Sequence, residues 1–349
     1  MRKGTVWSNI TAYGLAHAVV DAACAATLFG VLKAGSVDAS TAALFILVYD
    51  GIAFSTQPIL GLLVDKYMQP ARTAALGMLL VAAATLLMRW PLLAAVIAGI
   101  GNAIFHVGGG VVSLKLAPGK AALPGLFVAP GALGLTLGIL IGKSGSFIAW
   151  PFIVVLLLFA VTILLLPRPD FPIPPALPQD ARWFEAVIAL LLASVTIRSL
   201  VGGSLVLPWK SDTTLLLALT GAVVLGKALG GFLADRFGWT AVAVSGLVLS
   251  APLLAFFTPL PALVMIGTFL FNLSMPVTLA GVAGMLPGKS GFAFGLTTLA
   301  LIVGALPGFT LLRTWTGAPV FIFASTLVSI AALYAGLRLY ARTIRPREG

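Results

Sequence analysis

Long apolar segments, separated by short polar turns, follow one another along this whole chain of 349 residues. A bilayer core about 30 Å thick is crossed by an α-helix of roughly 20 apolar residues. The chain meets that length again and again, and residues 237–288 contain no charged side chain. Only 9% of all residues are charged, whereas soluble domains have roughly a quarter. We therefore predict an integral membrane protein without long domains outside the membrane.

The distribution of basic residues predicts the orientation in that membrane. The net charge is +11, which in a soluble protein would suggest a nucleic-acid partner. Here most lysines and arginines lie in alternate loops and in the C-terminal tail, and such residues are enriched in cytoplasmic loops. We expect a multi-pass protein of a bacterial-type inner membrane, with both termini cytoplasmic, a lipid partner and no nucleic acid. The single cysteine, Cys24, excludes an internal disulfide.

One polar turn occurs twice, each time between two apolar segments. Its pattern is Gly-x-x-x-Asp followed by a basic residue, and the residues are Gly61, Asp65 and Lys66, then Gly231, Asp235 and Arg236. The same offset relates Asn102 to Asn272. We count twelve apolar segments, six in each half, and the two turns have the same sidedness, which an even number of spans per half requires. The sequence therefore predicts two six-helix halves related as parallel repeats.

The boundaries of these halves follow from a proline-rich segment. Residues 167–182 contain too many prolines for a helix, and such composition favours an extended, semi-rigid strap. We predict an N-terminal six-helix bundle over residues 1–166 and a cytoplasmic strap over 167–182. A C-terminal six-helix bundle with a basic tail takes 183–349.

The paired turns resemble the signature loops of the major facilitator superfamily, whose pattern is Gly-x-x-x-Asp-[Arg/Lys]-x-Gly-[Arg/Lys]. The resemblance covers the whole chain, although Met68, Trp239 and Thr240 depart from the pattern. It implies an all-α membrane protein with twelve transmembrane helices in two pseudo-symmetric bundles that rock in alternating access. It also implies a gate at the turns, with Asp65 near Ser290 and Asp235 near Ala121. The gate residues are Gly61, Asp65, Lys66, Arg72, Gly231, Asp235 and Arg236.

Ionisable groups inside the apolar segments are the candidates for chemistry, because each costs on the order of 3 kcal/mol to insert and needs a partner or a function. His17 and Asp21 are four residues apart and share a helix face, and so do Asn102 and His106. Arg198 lies in the middle of the seventh span.

The resemblance places these residues, with Asn272, on the helices that line the central cavity. They are the expected substrate-binding residues, and Asp21, His17 and Asp50 are the candidates for proton coupling. Related positions in the two halves predict an ion pair between Asp21 and Arg198, which could equally be a static structural contact. His106 could simply bond a backbone carbonyl, Asn272 could be an interhelical contact, and Lys227 is expected to reach the membrane interface.

A proton-coupled secondary transporter of a small organic solute, acting as an exporter or antiporter and as a functional monomer, is the leading hypothesis. The stretch from Ile197 to Pro208, with the histidine and aspartate of the first span, resembles the fosmidomycin-resistance type of drug exporter. We find no phosphate-binding loop, no Gly-x-Ser-x-Gly and no Cys-x-x-Cys. We accordingly expect no enzyme activity, no cofactor and no use of ATP.

Two other functions remain open at this level. A divalent-metal carrier could use His17, Asp21, Asn102 and His106, since imidazole and carboxylate suit first-row metals. His17, Asp21 and His106 would then be the metal ligands, although Arg198 would repel a cation. An intramembrane enzyme or a non-transporting receptor could instead use His17 and Asp21 as an acid–base pair.

Overall fold

A computed structural model describes residues 3–35, 38–67, 69–167, 169–172, 177, 183–310 and 312–344 of the chain. Throughout these residues the regular structure is helical. Ten helices are long and apolar enough to cross a membrane, and two shorter apolar helices, Pro70–Leu86 and Ala149–Leu165, complete twelve spans. The predicted strap, 167–182, lies largely outside the described residues.

The N-terminal half supplies six spans, of which the second is bent. Its helices are α1 (Lys3–Ala34), α2 (Ala39–Ser55), α3 (Gln57–Tyr67), α4 (Pro70–Leu86), α5 (Pro91–Lys115), α6 (Ala122–Ser144) and α7 (Ala149–Leu165). The second span comprises α2 and α3, which meet at Thr56, just before Pro58. Proline removes a backbone donor from a helix and so accounts for the break.

The C-terminal half repeats this arrangement, with the bend in its fourth span. Its helices are α8 (Phe184–Ser204), α9 (Thr213–Phe237), α10 (Trp239–Phe256), α11 (Pro261–Asn272), α12 (Met275–Gly284), α13 (Ser290–Ala305), α14 (Arg313–Thr316) and α15 (Pro319–Ile344). The tenth span comprises α11 and α12, interrupted at Leu273–Ser274 before Pro276. This interruption brings the hydroxyl group of Ser274 to the interior of the C-terminal half.

Local sequence signals explain where several helices begin. Asp38 precedes α2 and accepts hydrogen bonds from the backbone amides of Ser40 and Thr41, both at 2.9 Å. The side chain of Asp212 caps α9 in the same way through Leu215 at 3.0 Å. Hydrogen bonds from the hydroxyl of Ser40 and from Thr41 hold the pKa of Asp38 well below its usual range. Side-chain oxygens at this position satisfy amides that have no partner within the helix.

Small residues bring α1 and α6 together. Gly134, Gly138 and Gly142 share one face of α6, as their four-residue spacing predicts. A Cβ atom at Gly134 or Gly138 would collide with the carbonyl oxygen of Ala18 or Ala22 in α1. At Gly142 it would stand 2.8 Å from the carbonyl oxygen of Ala26. The expected close helix contact is therefore confirmed, and it places α6 directly behind the polar face of α1.

Each half of the protein has its own apolar core. One is built mainly by α1, α4, α5, α6 and α7, and the other mainly by α8, α10, α12 and α15. Across the two halves, α3 packs on α13 and α6 packs on α9. These paired contacts repeat the internal symmetry of the sequence and leave a cavity at the centre.

Candidate functional site

The four polar residues of α1 and α5 form one cluster. His17 and Asp21 come from successive turns of α1, and Asn102 and His106 from successive turns of α5. Asn102 donates from Nδ2 to Oδ1 of Asp21 at 2.9 Å, and Nε2 of His17 lies 3.1 Å from Oδ2 of Asp21. Nε2 of His106 lies 2.8 Å from Nε2 of His17 and 3.7 Å from Oδ1 of Asp21. We call these four residues the histidine cluster.

Both imidazole rings are fixed by backbone carbonyl groups. Nδ1 of His17 lies 2.7 Å from the carbonyl oxygen of Phe127, and Nδ1 of His106 lies 2.9 Å from that of Asn102. A carbonyl oxygen only accepts hydrogen bonds, so each Nδ1 must carry the hydrogen. The contact of His106 with a carbonyl group, considered from the sequence, is thus confirmed.

With hydrogen on both Nδ1 atoms, three acceptors face one another: Nε2 of His17, Nε2 of His106 and the carboxylate of Asp21. In neutral rings with hydrogen on Nδ1, both Nε2 atoms are acceptors, yet they lie 2.8 Å apart. One additional proton on Nε2 of His17 satisfies this contact and also the 3.1 Å contact with Asp21. The geometry of the histidine cluster therefore fits one additional proton that is shared among these three acceptors.

Apolar side chains and a glycine shield the histidine cluster. The ring of Phe127 lies 4.8 Å from that of His17, centroid to centroid, and Phe105 lies 5.7 Å from His106. A Cβ atom at Gly131 would stand 2.7 Å from Oδ2 of Asp21, so α6 closes the cluster from behind. The side chains of Asp21 and His106 keep 16% and 12% of their exposure, which gives protons a way in. Electrostatic interactions are strong in such a partly dry environment.

Arg198 does not pair with Asp21, and the predicted ion pair is wrong. Its Nη1 donates to Oγ of Ser274 at 2.5 Å, and its Nη2 to Oγ1 of Thr278 at 2.8 Å. Its Nε donates to the backbone oxygen of Ser194 at 3.3 Å. The break between α11 and α12 offers these hydroxyl groups within the same half of the protein, while Asp21 is already paired with His17.

A cavity of about 540 Å³ lies at the centre, mainly within the C-terminal half. Arg198 of α8 and Asn272 of α11 line it as expected, and Leu135 of α6 contributes the N-terminal wall. The members of the histidine cluster are not among its lining residues; they lie beside it. Asn272 also donates from Nδ2 to the backbone oxygen of Thr268 at 2.8 Å. This bond lies within α11 and is not the interhelical contact considered from the sequence.

Lys227 is the residue that sequence reasoning misplaced. It lines the central cavity, rather than reaching the membrane interface, and its charge interacts with Asp21 and His106 across the two halves. The available signal in the sequence was that Lys227 lies inside the apolar segment that forms α9. Asp50 is half-buried on α2, where it interacts with Asp21 only through charge.

The two signature turns bind helix N-termini in the opposite half. Oδ1 and Oδ2 of Asp65 accept hydrogen bonds from the amides of Gly291 and Phe292 at 2.8 and 2.9 Å. Asp235 accepts from the amides of Ala121 and Ala122 at 3.0–3.1 Å. Each carboxylate thus sits at the positive end of a helix dipole. The contacts expected near Ser290 and Ala121 are confirmed, and we call them the two latches.

Glycines allow the halves to approach at the latches. A Cβ atom at Gly61 would stand 2.6 Å from the amide nitrogen of Phe292, and one at Gly231 would stand 2.6 Å from the Cα atom of Ala122. The basic residues of the turns are exposed and stay within their own segments; these are Lys66, Arg72 and Arg236.

Trp239, which departs from the signature pattern, contributes to the second latch. Its Nε1 donates to Oδ1 of Asp235 at 3.0 Å. Trp239 stands at the position where the pattern has its second basic residue. Its indole supplies a hydrogen-bond donor to the carboxylate of Asp235. Its ring also stacks on Tyr340, with centroids 5.6 Å apart.

The latches close one end of the molecule while the central cavity continues toward the other. Gly202, Gly203 and Ala305 line it there, at the ends of α8 and α13 remote from the latches, together with Lys210 in the connection between α8 and α9. The two halves are therefore joined on the side of the signature turns, which is the predicted cytoplasmic side.

Comparisons with solved structures identify this architecture. A crystal structure of a variant of the fucose:proton symporter of Escherichia coli is similar with a TM-score of 0.68 and 14% sequence identity. A second, of the same symporter, described as a major facilitator superfamily transporter in the outward conformation, has a TM-score of 0.69 and 15% identity. Each match covers 95% of this chain and 99% of the other.

These likenesses confirm the expected all-helical major facilitator fold. At such low identity they establish the fold alone. No protein-family model matches the chain, and no curated protein matches it.

Proposed function

We propose that this chain, which has the major facilitator fold, is a proton-coupled secondary transporter of a small organic solute that works by alternating access. The observation that carries the proposal is the histidine cluster, because its two Nε2 atoms and the carboxylate of Asp21 are three acceptors close enough to share one proton beside the central cavity. The solved structures that the fold matches are of a transporter and not of an enzyme.

The chemistry of the histidine cluster suits reversible proton transfer. Imidazole is the side chain whose unperturbed pKa lies nearest to neutral pH. The proton on His17 can pass along the 2.8 Å contact to His106 or along the 3.1 Å contact to Asp21. When water reaches the cluster from one side, the proton exchanges with that side; when the halves rock, it exchanges with the other.

The latches supply the second requirement of coupled transport, which is a closed state on each side in turn. Opening the signature-turn side breaks the charge-assisted hydrogen bonds that four backbone amides donate to Asp65 and Asp235, so protonation and solute binding must supply that free energy. Hydrogen bonds to charged groups contribute about 1.5–3 kcal/mol each. The two latches therefore hold the outward-open state until the central site changes its occupancy.

For the direction of transport we propose export of the solute in exchange for protons. In vesicles with an acidic lumen and a neutral exterior, an antiporter accumulates solute, whereas a symporter expels it. A screen for ligands that raise the thermal stability of the purified protein supplies the solute for this measurement.

The test of the proposal is the variant Asp21→Asn in the same vesicles. We expect it to abolish solute-driven proton flux, reported by a pH-sensitive dye in the lumen. Exchange of labelled for unlabelled solute should continue near the wild-type rate, because exchange needs binding and rocking but no net proton movement. Proton-driven accumulation at the wild-type rate would overturn the role of Asp21 and shift the search for the coupling residue to Asp50 or His106.

A divalent-metal carrier is the second candidate, since His17, Asp21 and His106 present ligand atoms within 4.8 Å of one another. The spacing favours a proton over a metal ion in this state. Tetrahedral coordination with metal–nitrogen distances near 2.0–2.1 Å separates two ligand nitrogens by about 3.3 Å, whereas the Nε2 atoms are 2.8 Å apart. Nitrogen NMR of the two rings, described below, separates the two candidates.

A further inference from the structure

The charges on the wall of the central cavity are all of one sign. Arg198 and Lys227 line it, Lys210 stands at its mouth, and no aspartate or glutamate is among its lining residues in the part of the chain that the structure describes. Resting on the proposed transport function, we propose that the solute is an organic anion whose acid group binds at the wall formed by Arg198 and Lys227.

Arg198 is built to receive such a group. A guanidinium has five N–H donors, and three of its nitrogens donate to Ser274, Thr278 and the backbone of Ser194. All three acceptors are neutral, so the positive charge is oriented without being neutralised. Two N–H donors remain for a ligand, and the fork geometry of arginine suits the two oxygens of a carboxylate or phosphonate.

Charge accounting across the two halves also points to an anion. Lys227 interacts through charge with Asp21, whose carboxylate also contacts Asn102 and His17, whereas the hydrogen-bond partners of Arg198 are all neutral. Among the described residues, Arg198 thus keeps its positive charge within the membrane-spanning region without a carboxylate partner. A charged group is costly in that region, and an anionic ligand lowers this cost.

The rest of the cavity indicates an amphipathic molecule rather than an inorganic ion. Its wall includes Phe271, Met275, Leu279 and Leu301, which offer apolar surface, while Asn272 and Thr297 offer neutral polar groups. A volume of about 540 Å³ lies within the range of cavities that hold drug-sized ligands. The solute predicted by this cavity is an organic acid with a mainly apolar body.

The electrostatic part of this proposal can be tested without knowing the solute. The variant Gly202→Cys places a thiol on the wall one helical turn from Arg198, where an added Cβ atom meets nothing within 4 Å. The native Cys24 is buried and gives a low background. We measure the rates of modification by a sulfonate-bearing and by a trimethylammonium-bearing methanethiosulfonate. Leu260→Cys, exposed in a loop without charged residues, is the matched reference.

We expect the ratio of anionic to cationic rates to be about tenfold higher at Gly202→Cys than at Leu260→Cys, since a cavity lined by one sign of charge concentrates the opposite sign. Adding Lys227→Gln or Arg198→Gln should each lower the ratio at least threefold, whereas Lys143→Gln, outside the cavity, should leave it unchanged. Lys227→Gln keeps the test valid if Arg198→Gln does not fold.

A second arm examines ligand chemistry with two probes of similar shape. Benzoate should slow modification of Gly202→Cys, and benzyl alcohol should not. Equal ratios at the two cysteines, or protection by the alcohol alone, would overturn the anion proposal while leaving proton-coupled transport intact. If the ratio at Gly202→Cys is raised as expected but the vesicles show no proton-coupled transport, the proposed transport function is overturned and the anion site stands.

Discussion

At the scale of single residues, the proposed proton coupling depends on where one proton resides in the histidine cluster. His17 and His106 are the two histidines of the chain, and both use Nδ1 to bind backbone oxygens. Their Nε2 atoms must therefore share whatever cation the cluster holds. This arrangement differs from an isolated buried carboxylate, because a proton can move between the two imidazole rings and Asp21 without leaving the cluster.

This assignment predicts a definite nitrogen NMR spectrum. Protein labelled with ¹⁵N-histidine, with any affinity tag removed, should show both Nδ1 atoms protonated and one further proton on an Nε2 atom at neutral pH. Asp21→Asn removes the carboxylate that contacts Nε2 of His17 at 3.1 Å, so the Nε2 resonances should change while both Nδ1 resonances stay as in the wild type. Two rings that each carry a single hydrogen in the wild type at neutral pH would contradict the assignment. A metal-bound Nε2 resonance would favour the metal candidate.

The residue scale also shows how a departure from a pattern can be compensated. Trp239 stands in the signature turn at a place where the pattern leads one to expect a basic residue, and its indole N–H binds Asp235 instead. A neutral donor in this position keeps the carboxylate bound without adding a charge. The geometry of the second latch is thereby maintained.

At the scale of helices, the glycines of α6 determine how closely the backbone of α6 approaches the histidine cluster on α1. Gly131 leaves room for the side chains of His17 and Asp21, and Gly134 and Gly138 allow the backbones of α6 and α1 to touch. The carbonyl oxygen of Phe127 reaches His17 because of this approach. The small residues that let α6 pack closely on α1 therefore also determine the tautomer of His17.

Enlarging this contact should destabilise the protein. Gly138→Ala pushes a methyl group into the backbone of Ala22, and overpacking of this kind costs about 1–3 kcal/mol of unfolding free energy. We expect the apparent melting temperature in detergent to fall by several degrees. The matched control is Gly221→Ala in α9, where the new methyl group meets nothing within 4 Å and helix propensity improves. Equal melting temperatures for the two variants would show that the α1–α6 contact is loose.

At the scale of the whole molecule, the two latches couple the halves. Each joins a carboxylate of one half to the first amides of a helix in the other, α13 for Asp65 and α6 for Asp235. The latches lie at the same end of the molecule, opposite the mouth of the central cavity. The internal duplication of the chain thus produces a symmetric pair of contacts between the halves.

Removing the charge of one latch should shift the balance between the two states. Asp65→Asn weakens two charge-assisted hydrogen bonds, and a loss of about 1.4 kcal/mol changes the ratio of the two states about tenfold. Spin labels at positions 69 and 338, on opposite halves near the latches, should report a new population with longer distances. Asp170→Asn, which removes the same charge outside the latches, is the control. Distance distributions identical in Asp65→Asn and Asp170→Asn would exclude a latch role for Asp65.

The sequence by itself determined the membrane environment, the twelve spans, the duplication and the residues of the histidine cluster. These follow from the length of the apolar segments, from the repeated turn motif and from four-residue spacing. Each of these signals can be recognised in a short stretch of sequence. Even the contact of Asp65 with the start of α13 was predictable, because a resemblance to a known fold places the signature turns against helix ends.

Only the tertiary structure decided how the charged groups are paired. Asp21 binds two histidines rather than Arg198, Arg198 binds Ser274 and Thr278, and Lys227 lines the central cavity. Spacing along one helix shows which side chains share a face, but not how that helix is rotated or how deeply its neighbours bend. The break between α11 and α12 and the close approach of α6 to α1 set those rotations, and so they determine which partner each charge finds.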